Sequence, residues 1–329
     1  MRKRLLEFQA FCTGNVSRET LCHRRGNLID RGSSNNSPRF CDYEGSDYRT
    51  AFWEGQGREY EDLVERIALR RLLPPTGERV IDIGGGFGRL VDLYNGYKEI
   101  VLMDYSRSQL EDAHRRLGEG RITYVAANLY EMPFVAGAFD AAVMVRVLHH
   151  QADVPAALHA IQGILRPGAT FVLEYANKRH LKAILRYLLR RQEHNPFSYE
   201  PWEFVALNFN FHPAYVEHNL EKAGFHIERQ LCVSHFRIGF LKRLIPARIL
   251  AAIDGWLQQP TAWLKLTPSI FLQTRTPSQE SPPVVSQLFS CPQCRSIELV
   301  QGPDSLLCTS CSRRWSMAGG LYDFRQPFD

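Results

Sequence analysis

Between Arg79 and Tyr175, short apolar runs rich in Val and Ile alternate with segments whose apolar residues recur at helical spacing. The runs are Arg79–Ile83, Ile100–Met103, Ile122–Val125, Ala141–Val145 and Thr170–Tyr175. Strands apolar on both faces and joined by helical crossovers predict a parallel sheet covered on both sides. Ahead of them, Tyr60 to Leu73 reads as a helix with Leu63, Ile67 and Leu72 on one stripe, stopped by Pro74-Pro75. Phe225–Cys232 and Ser269–Thr274 read as sixth and seventh strands, flanking a helical insertion from about Phe240 to Leu264. The expectation is an α/β, doubly wound, seven-stranded, mostly parallel Rossmann-like sheet with helical lid insertions.

The pattern fails at both ends. Residues 1–45 lack periodicity, gather basic side chains and include Gly32-Ser33-Ser34-Asn35-Asn36-Ser37-Pro38, which predicts a basic, partly disordered arm. Residues 277–287 form a polar linker rich in Pro and Ser, dividing a 46–276 domain from a small module at 288–329. Composition is that of a globular protein, with 44% hydrophobic and 23% charged residues and a net charge of +5. No stretch reaches the roughly eighteen apolar residues of a membrane helix, and Glu7 and Gln9 interrupt any leader-like core, so a cytoplasmic chain is expected. In a reducing compartment the eight cysteines are not expected to pair as disulfides.

Candidate chemistry centres on Val80-Ile81-Asp82-Ile83-Gly84-Gly85-Gly86-Phe87-Gly88, where a buried strand ends in glycines and a helix is expected to begin. Glycines there let backbone N–H groups approach a ligand at the sheet edge, or serve only as a strand-to-helix turn. A dinucleotide fingerprint fails because its third glycine position is Arg89. The acid of Asp82-x-Gly84-x-Gly86-x-Gly88 suits a cationic ligand with an amino acid portion better than a pyrophosphate. Asp104 closes the next strand, where a carboxylate can accept both hydroxyls of a ribose or stand as an exposed loop acid.

From Tyr48 to Thr276 the chain resembles class I S-adenosylmethionine-dependent methyltransferases, in the subgroup of quinone-biosynthetic C-methyltransferases. The matching segments are Asp82–Gly88, Asp104-Tyr105-Ser106, Asn128–Phe134, Phe139–Val143 running to Leu148-His149-His150, and Leu165–Ala169. The resemblance implies that Gly84, Gly85, Gly86 and Gly88 cradle the methionine and ribose portion of S-adenosyl-L-methionine. It implies that Asp104 beside Tyr105 holds the ribose, that Asn128 and Leu129 flank the adenine, and that Arg146 lies near the methyl donor. Asn128 stands where the family has Asp; an amide oxygen still accepts a hydrogen bond.

Methyl transfer from a sulfonium is an in-line displacement in which alignment and a dry pocket matter most. The chain lacks an Asn/Asp-Pro-Pro-Tyr motif after the fourth strand and a Pro-Cys nucleophile, which argues against DNA adenine and cytosine C5 chemistry. O-, N- and C-methylation stay open, on a small aromatic or quinone-like molecule or on RNA. A non-catalytic S-adenosylmethionine-binding scaffold is the other reading. His149, His150, Glu174 and Tyr175 are the candidate general bases, although a histidine there also suits a helix cap. Leu181, Ile184, Leu185, Leu188 and Leu189 face Lys182, Arg186, Arg190 and Arg191 across an amphipathic helix that fits a lid, an RNA contact or a membrane-surface face. The aromatic stretch from Phe197 to Phe211 suits an apolar substrate pocket or lid packing.

Near the C-terminus, Cys291-x2-Cys294 and Cys308-x2-Cys311 stand thirteen residues apart, the spacing of a four-thiolate Zn²⁺ site; redox chemistry and unligated thiols are the alternatives. With Trp315–Phe324, this module resembles the zinc-ribbon partner that activates several RNA and protein methyltransferases, and the ribbon of bacterial ribosomal-RNA guanine methyltransferases. That implies recruitment of substrate or of a protein partner. Cys12, Cys22, His23 and Cys41 are too irregularly spaced to predict a second metal set.

Overall fold

The computed structural model of the protein describes residues 43–278 and 286–328. The basic arm up to Asp42, the cysteines and histidine within it, and most of the linker lie outside the described residues. Among the described residues, no helix is long and apolar enough to cross a membrane.

The chain enters through a π-turn at Arg49–Trp53 and helix α1 at Glu59–Leu72. Glu59, Glu61 and Asp62 in the first turn of α1, and Arg70 and Arg71 in its last, oppose the charges of the helix ends. Five parallel strands follow: β1 (Gly77–Ile83), β2 (Tyr97–Asp104), β3 (Ile122–Ala126), β4 (Phe139–Met144) and β5 (Leu165–Ala176). Helix α2 (Arg107–Leu117) is N-capped by Ser106, whose side chain accepts from the Gln109 N–H, and α3 (Val154–Ile164) by Asp153.

A lid region then carries α4 (Leu181–Leu188), a hairpin of β6 (Trp202–Val205) and β7 (Asn208–Asn210), and α5 (Pro213–Lys222). β8 (His226–Val233), helices α6 (Gly239–Leu244) and α7 (Ala247–Leu257), and β9 (Ser269–Arg275) complete this part of the chain. β9 inserts antiparallel between β5 and β8. Two apolar clusters, one on each face of the sheet, form the core.

The structure corrects the expected strand count. The seven strands from β3 to β8 are present, but the sheet runs to eleven because the C-terminal module joins it. Strands β10 (Leu299–Gln301), β11 (Ser305–Cys308), β12 (Arg314–Ala318) and β13 (Leu321–Phe328) form an antiparallel meander, and Leu321, Tyr322 and Asp323 of β13 pair in parallel with Tyr124, Val125 and Ala126 of β3. Ser290 adds a backbone bond to Pro133 (2.9 Å), and the Phe289 ring stacks 6.0 Å from Phe134. An edge strand offers unpaired N–H and C=O groups, and here the same chain satisfies them.

The helix expected after the glycines is also absent. Gly84, Gly86 and Gly88 all take positive φ (70°, 52° and 75°), and the chain regains regular structure only as a 3₁₀ turn at Val91–Tyr94. Gly96 then passes so close to the Pro75 carbonyl that a Cβ would collide with it. Between those two fixed points the chain winds as a 3₁₀ turn.

Candidate active site

Above the C-terminal ends of β1, β2 and β4 lies a cleft of about 1000 Å³, its open mouth included. Its position follows from the fold, since parallel sheets place ligands beyond the carboxyl ends of their strands. Gly84 must be glycine twice over: its φ is +70°, and a Cβ there would strike Val147 Cγ2. The loop is pinned from below. The Gly86 N–H donates to Asp104 Oδ2 at 2.9 Å, and the Ser106 N–H donates to Oδ1 at 2.8 Å.

Asp82 is 3% exposed and receives a 2.9 Å bond from the Tyr94 hydroxyl. Burial pushes its carboxyl up to about 7, against the Tyr94 bond and the Arg89 charge, which pull it down. A carboxyl so placed ionises most readily when a cation arrives beside it.

The opposite wall comes from the N-terminal segment. Tyr43, Tyr48 and Trp53 line the cleft, and the guanidinium groups of Arg89 and Arg146 lie 3.9 and 4.9 Å from the Trp53 ring centroid. Arg146 follows β4 with φ +63°, an uncommon conformation for a non-glycine residue. Its N–H donates to Glu174 Oε2 (2.8 Å), while its Nε and Nη2 hold Glu65 Oε1 at 2.7 and 2.6 Å. Arg89 Nη2 holds the other Glu65 oxygen at 2.7 Å. Burial alone would raise the Glu65 carboxyl, but the two guanidinium charges outweigh it and hold the group down at about 2. The remaining Arg146 nitrogen, Nη1, is buried without a hydrogen-bond partner.

The structure sorts the sequence-derived candidates. Asp82, Gly84, Gly85, Gly86, Asp104, Tyr105, Leu129, Arg146 and His150 line the cleft together. Gly88 shapes the loop from behind, its φ positive and a Cβ there meeting Leu117. Asn128 turns its side-chain oxygen to the Tyr130 N–H at 3.0 Å, capping the 3₁₀ turn at Leu129–Glu131.

His149, Glu174 and Tyr175 are buried and stand outside the cleft lining. Glu174 is committed to the Arg146 backbone and to the Ser269 hydroxyl (2.6 Å). Tyr175 sits within the apolar cluster on one face of the sheet. His150 alone of the four reaches the cleft. Its Nδ1 lies 3.3 Å from the Leu207 carbonyl oxygen, which can only accept, so Nδ1 carries the proton and Nε2 accepts from the Tyr43 hydroxyl at 3.0 Å. Sequence reasoning missed Tyr43, Tyr48, Trp53, Arg89 and Glu65. Tyr43, Tyr48, Trp53 and Glu65 lie in segments without a motif, Arg89 follows the last glycine of the loop, and only an aromatic cluster just before the first helix hints at the wall.

The second constellation lies in the C-terminal module. Cys291, Cys294, Cys308 and Cys311 bring all four Sγ atoms within 4.8 Å of one another, with Cys291 and Cys311 3.7 Å apart and Cys294 and Cys308 3.5 Å apart. Zn–S bonds of about 2.3 Å at tetrahedral angles put sulfurs about 3.8 Å apart, so the donor set fits such an ion.

A family model described as a methyltransferase domain matches residues 52–230. An O-methyltransferase from Aspergillus sclerotiorum is 31% identical over 133 residues, which cover 37% of this chain and 50% of the relative. A ubiquinone/menaquinone biosynthesis C-methyltransferase from Shewanella sp. is 33% identical over 113 residues, covering 32% and 45%. The chain thus spans about half the length of these curated relatives. Among solved structures, an S-adenosylmethionine-dependent methyltransferase from Mesorhizobium loti aligns with 66% of this chain and 99% of its own, at 20% identity and a TM-score of 0.47.

Proposed function

Since the chain belongs to the methyltransferase-domain family across residues 52–230, we propose that it transfers a methyl group from S-adenosyl-L-methionine to a small aromatic or quinone-like acceptor. The observation that carries this reading is the meeting in one cleft of a glycine cradle, the Asp104 carboxylate, the unpartnered Arg146 Nη1 and His150. S-adenosyl-L-methionine supplies a methyl group activated by a sulfonium charge.

The chain's own groups do the rest. Asp104 accepts the ribose hydroxyls, Asp82 offers negative charge to the amino end, and Arg146 Nη1 donates to the carboxylate. Leu129 packs against the adenine. The aromatic wall of Tyr43, Tyr48 and Trp53 excludes water and receives an apolar acceptor. His150 Nε2, which accepts from the Tyr43 hydroxyl, takes up the proton of an acceptor hydroxyl relayed through that phenol, its ring oriented through Nδ1 by Leu207. In the C-terminal module the four cysteines hold structural Zn²⁺, which a unit of this size needs to fold. The outer strand β10, with Val300 exposed, is the edge left for a protein partner.

Purified protein incubated with labelled methyl donor and a cell extract, then fractionated, tests the reading. Label in the small-molecule fraction supports it. Label in RNA overturns the acceptor class, and donor binding without label in any fraction favours the scaffold.

A further inference from the structure

Two helical insertions outside the cleft leave large apolar side chains in solvent. Leu188 on α4, Phe240 and Leu244 on α6, Trp256 on α7 and Trp263 beyond it are each 66–74% exposed. Where such residues gather, the surface is one used for contact. On α7 the exposure is one-sided. Leu250 and Ala251 are buried, Asp254 accepts from the Tyr60 hydroxyl of α1 at 2.6 Å, and Ile249, Ile253 and Trp256 recur on the other side at helical spacing.

The two insertions abut: the Leu181 N–H donates to the Leu266 carbonyl at 2.8 Å, and Arg179 Nη2 to that of Leu264 at 3.0 Å. Their charge is of one sign. Residues 181–191 hold Lys182, Arg186, Arg190 and Arg191 and no acid. Residues 238–264 hold Arg243 and Arg248, with Lys242 paired to Glu61 of α1 at 2.8 Å, and their one acid, Asp254, is fully buried.

We propose that this face seats on a membrane surface bearing anionic lipid. The tryptophans, phenylalanine and leucines enter the headgroup boundary, and the lysines and arginines around them meet the lipid charge. Charge selects this occupant. A second copy would bring like charge against like. The chain's own first 42 residues, with eight Lys and Arg against four Asp and Glu, would do the same. RNA would meet the cations but leave the leucines and Trp side chains in water. The inference stands independently of the acceptor proposed above, because it rests on a face that contributes nothing to the cleft lining.

Co-sedimentation of the full chain with phosphatidylcholine vesicles, with and without about one third phosphatidylglycerol, tests it. The expected result is binding to the anionic vesicles with a blue shift of tryptophan emission. Binding should fall about tenfold in Trp256→Ser/Trp263→Ser and in Arg243→Glu/Arg248→Glu. Donor affinity and melting temperature should hold in both variants, which separates lost docking from lost folding. No sedimentation with anionic vesicles at low salt overturns the proposal, as does equal binding to neutral ones. So does self-association in lipid-free solution that the tryptophan variant abolishes, or displacement of the protein from vesicles by RNA at the same sites.

Discussion

Arg146 and Glu65 are 81 residues apart in sequence, yet the guanidinium holds one oxygen of the carboxylate through two nitrogens at 2.6 and 2.7 Å, with both side chains almost fully buried. The pair joins α1 to the strand end that floors the cleft. A buried charge with its partner removed is far costlier than either the intact pair or an apolar replacement.

Glu65→Gln should therefore destabilise the chain by about 3–5 kcal/mol at neutral pH, read from urea unfolding. The pH dependence has a definite sign. The folded carboxyl titrates at about 2, below its ordinary value of 4.5. Its contribution is thus present above pH 4.5 and is lost as pH falls toward 2, so the wild type and variant should converge in acid.

Asp82 moves the other way. Raised to about 7 from 3.8, its carboxyl keeps a proton in the folded chain that the unfolded chain has lost, so its contribution to stability declines as pH rises between those values. A cationic ligand favours the ionised form. Donor affinity measured calorimetrically should rise from pH 6 to 8 in the wild type, and Asp82→Asn should flatten that dependence.

Asp104→Ala should weaken donor binding by roughly 1–3 kcal/mol, the scale of hydrogen bonds to a charged group. Part of that loss would come from the glycine loop, because Asp104 accepts from Gly86 and Ser106. Unchanged affinity would remove Asp104 from the ribose site.

Removal of the proposed Zn²⁺ should be felt in the sheet. Chelation, or Cys294→Ser, should unfold the C-terminal module and bare β3, raising hydrogen exchange at Tyr124–Ala126, which pair with β13. The strands β1, β4 and β5 should stay protected, since none of them pairs with β13 or with β3.

The central strands were legible because buried parallel strands must be apolar on both faces, and β1, β2 and β4 are. The glycine loop and the cysteine pairs were legible because their chemistry demands fixed spacing. Arg146 could be placed beside the cleft from its position after β4, but no local pattern encodes a partner in α1. Which of two adjacent histidines faces the cleft depends on one backbone turn, and His150 rather than His149 proves to do so. The pairing of β13 with β3 runs through backbone N–H and C=O groups, which every sequence carries, so Leu321-Tyr322-Asp323 announces nothing.

The docking of β13 on β3 takes place between parts of one chain, joined by the few residues between Ser278 and Ser286. A short tether of that kind sets an effective concentration on the order of millimolar. A separately encoded module would dissociate as the protein became scarce. Here the occupancy of the β3 edge is set by the folding of the C-terminal module alone, and it stays the same however dilute the protein is.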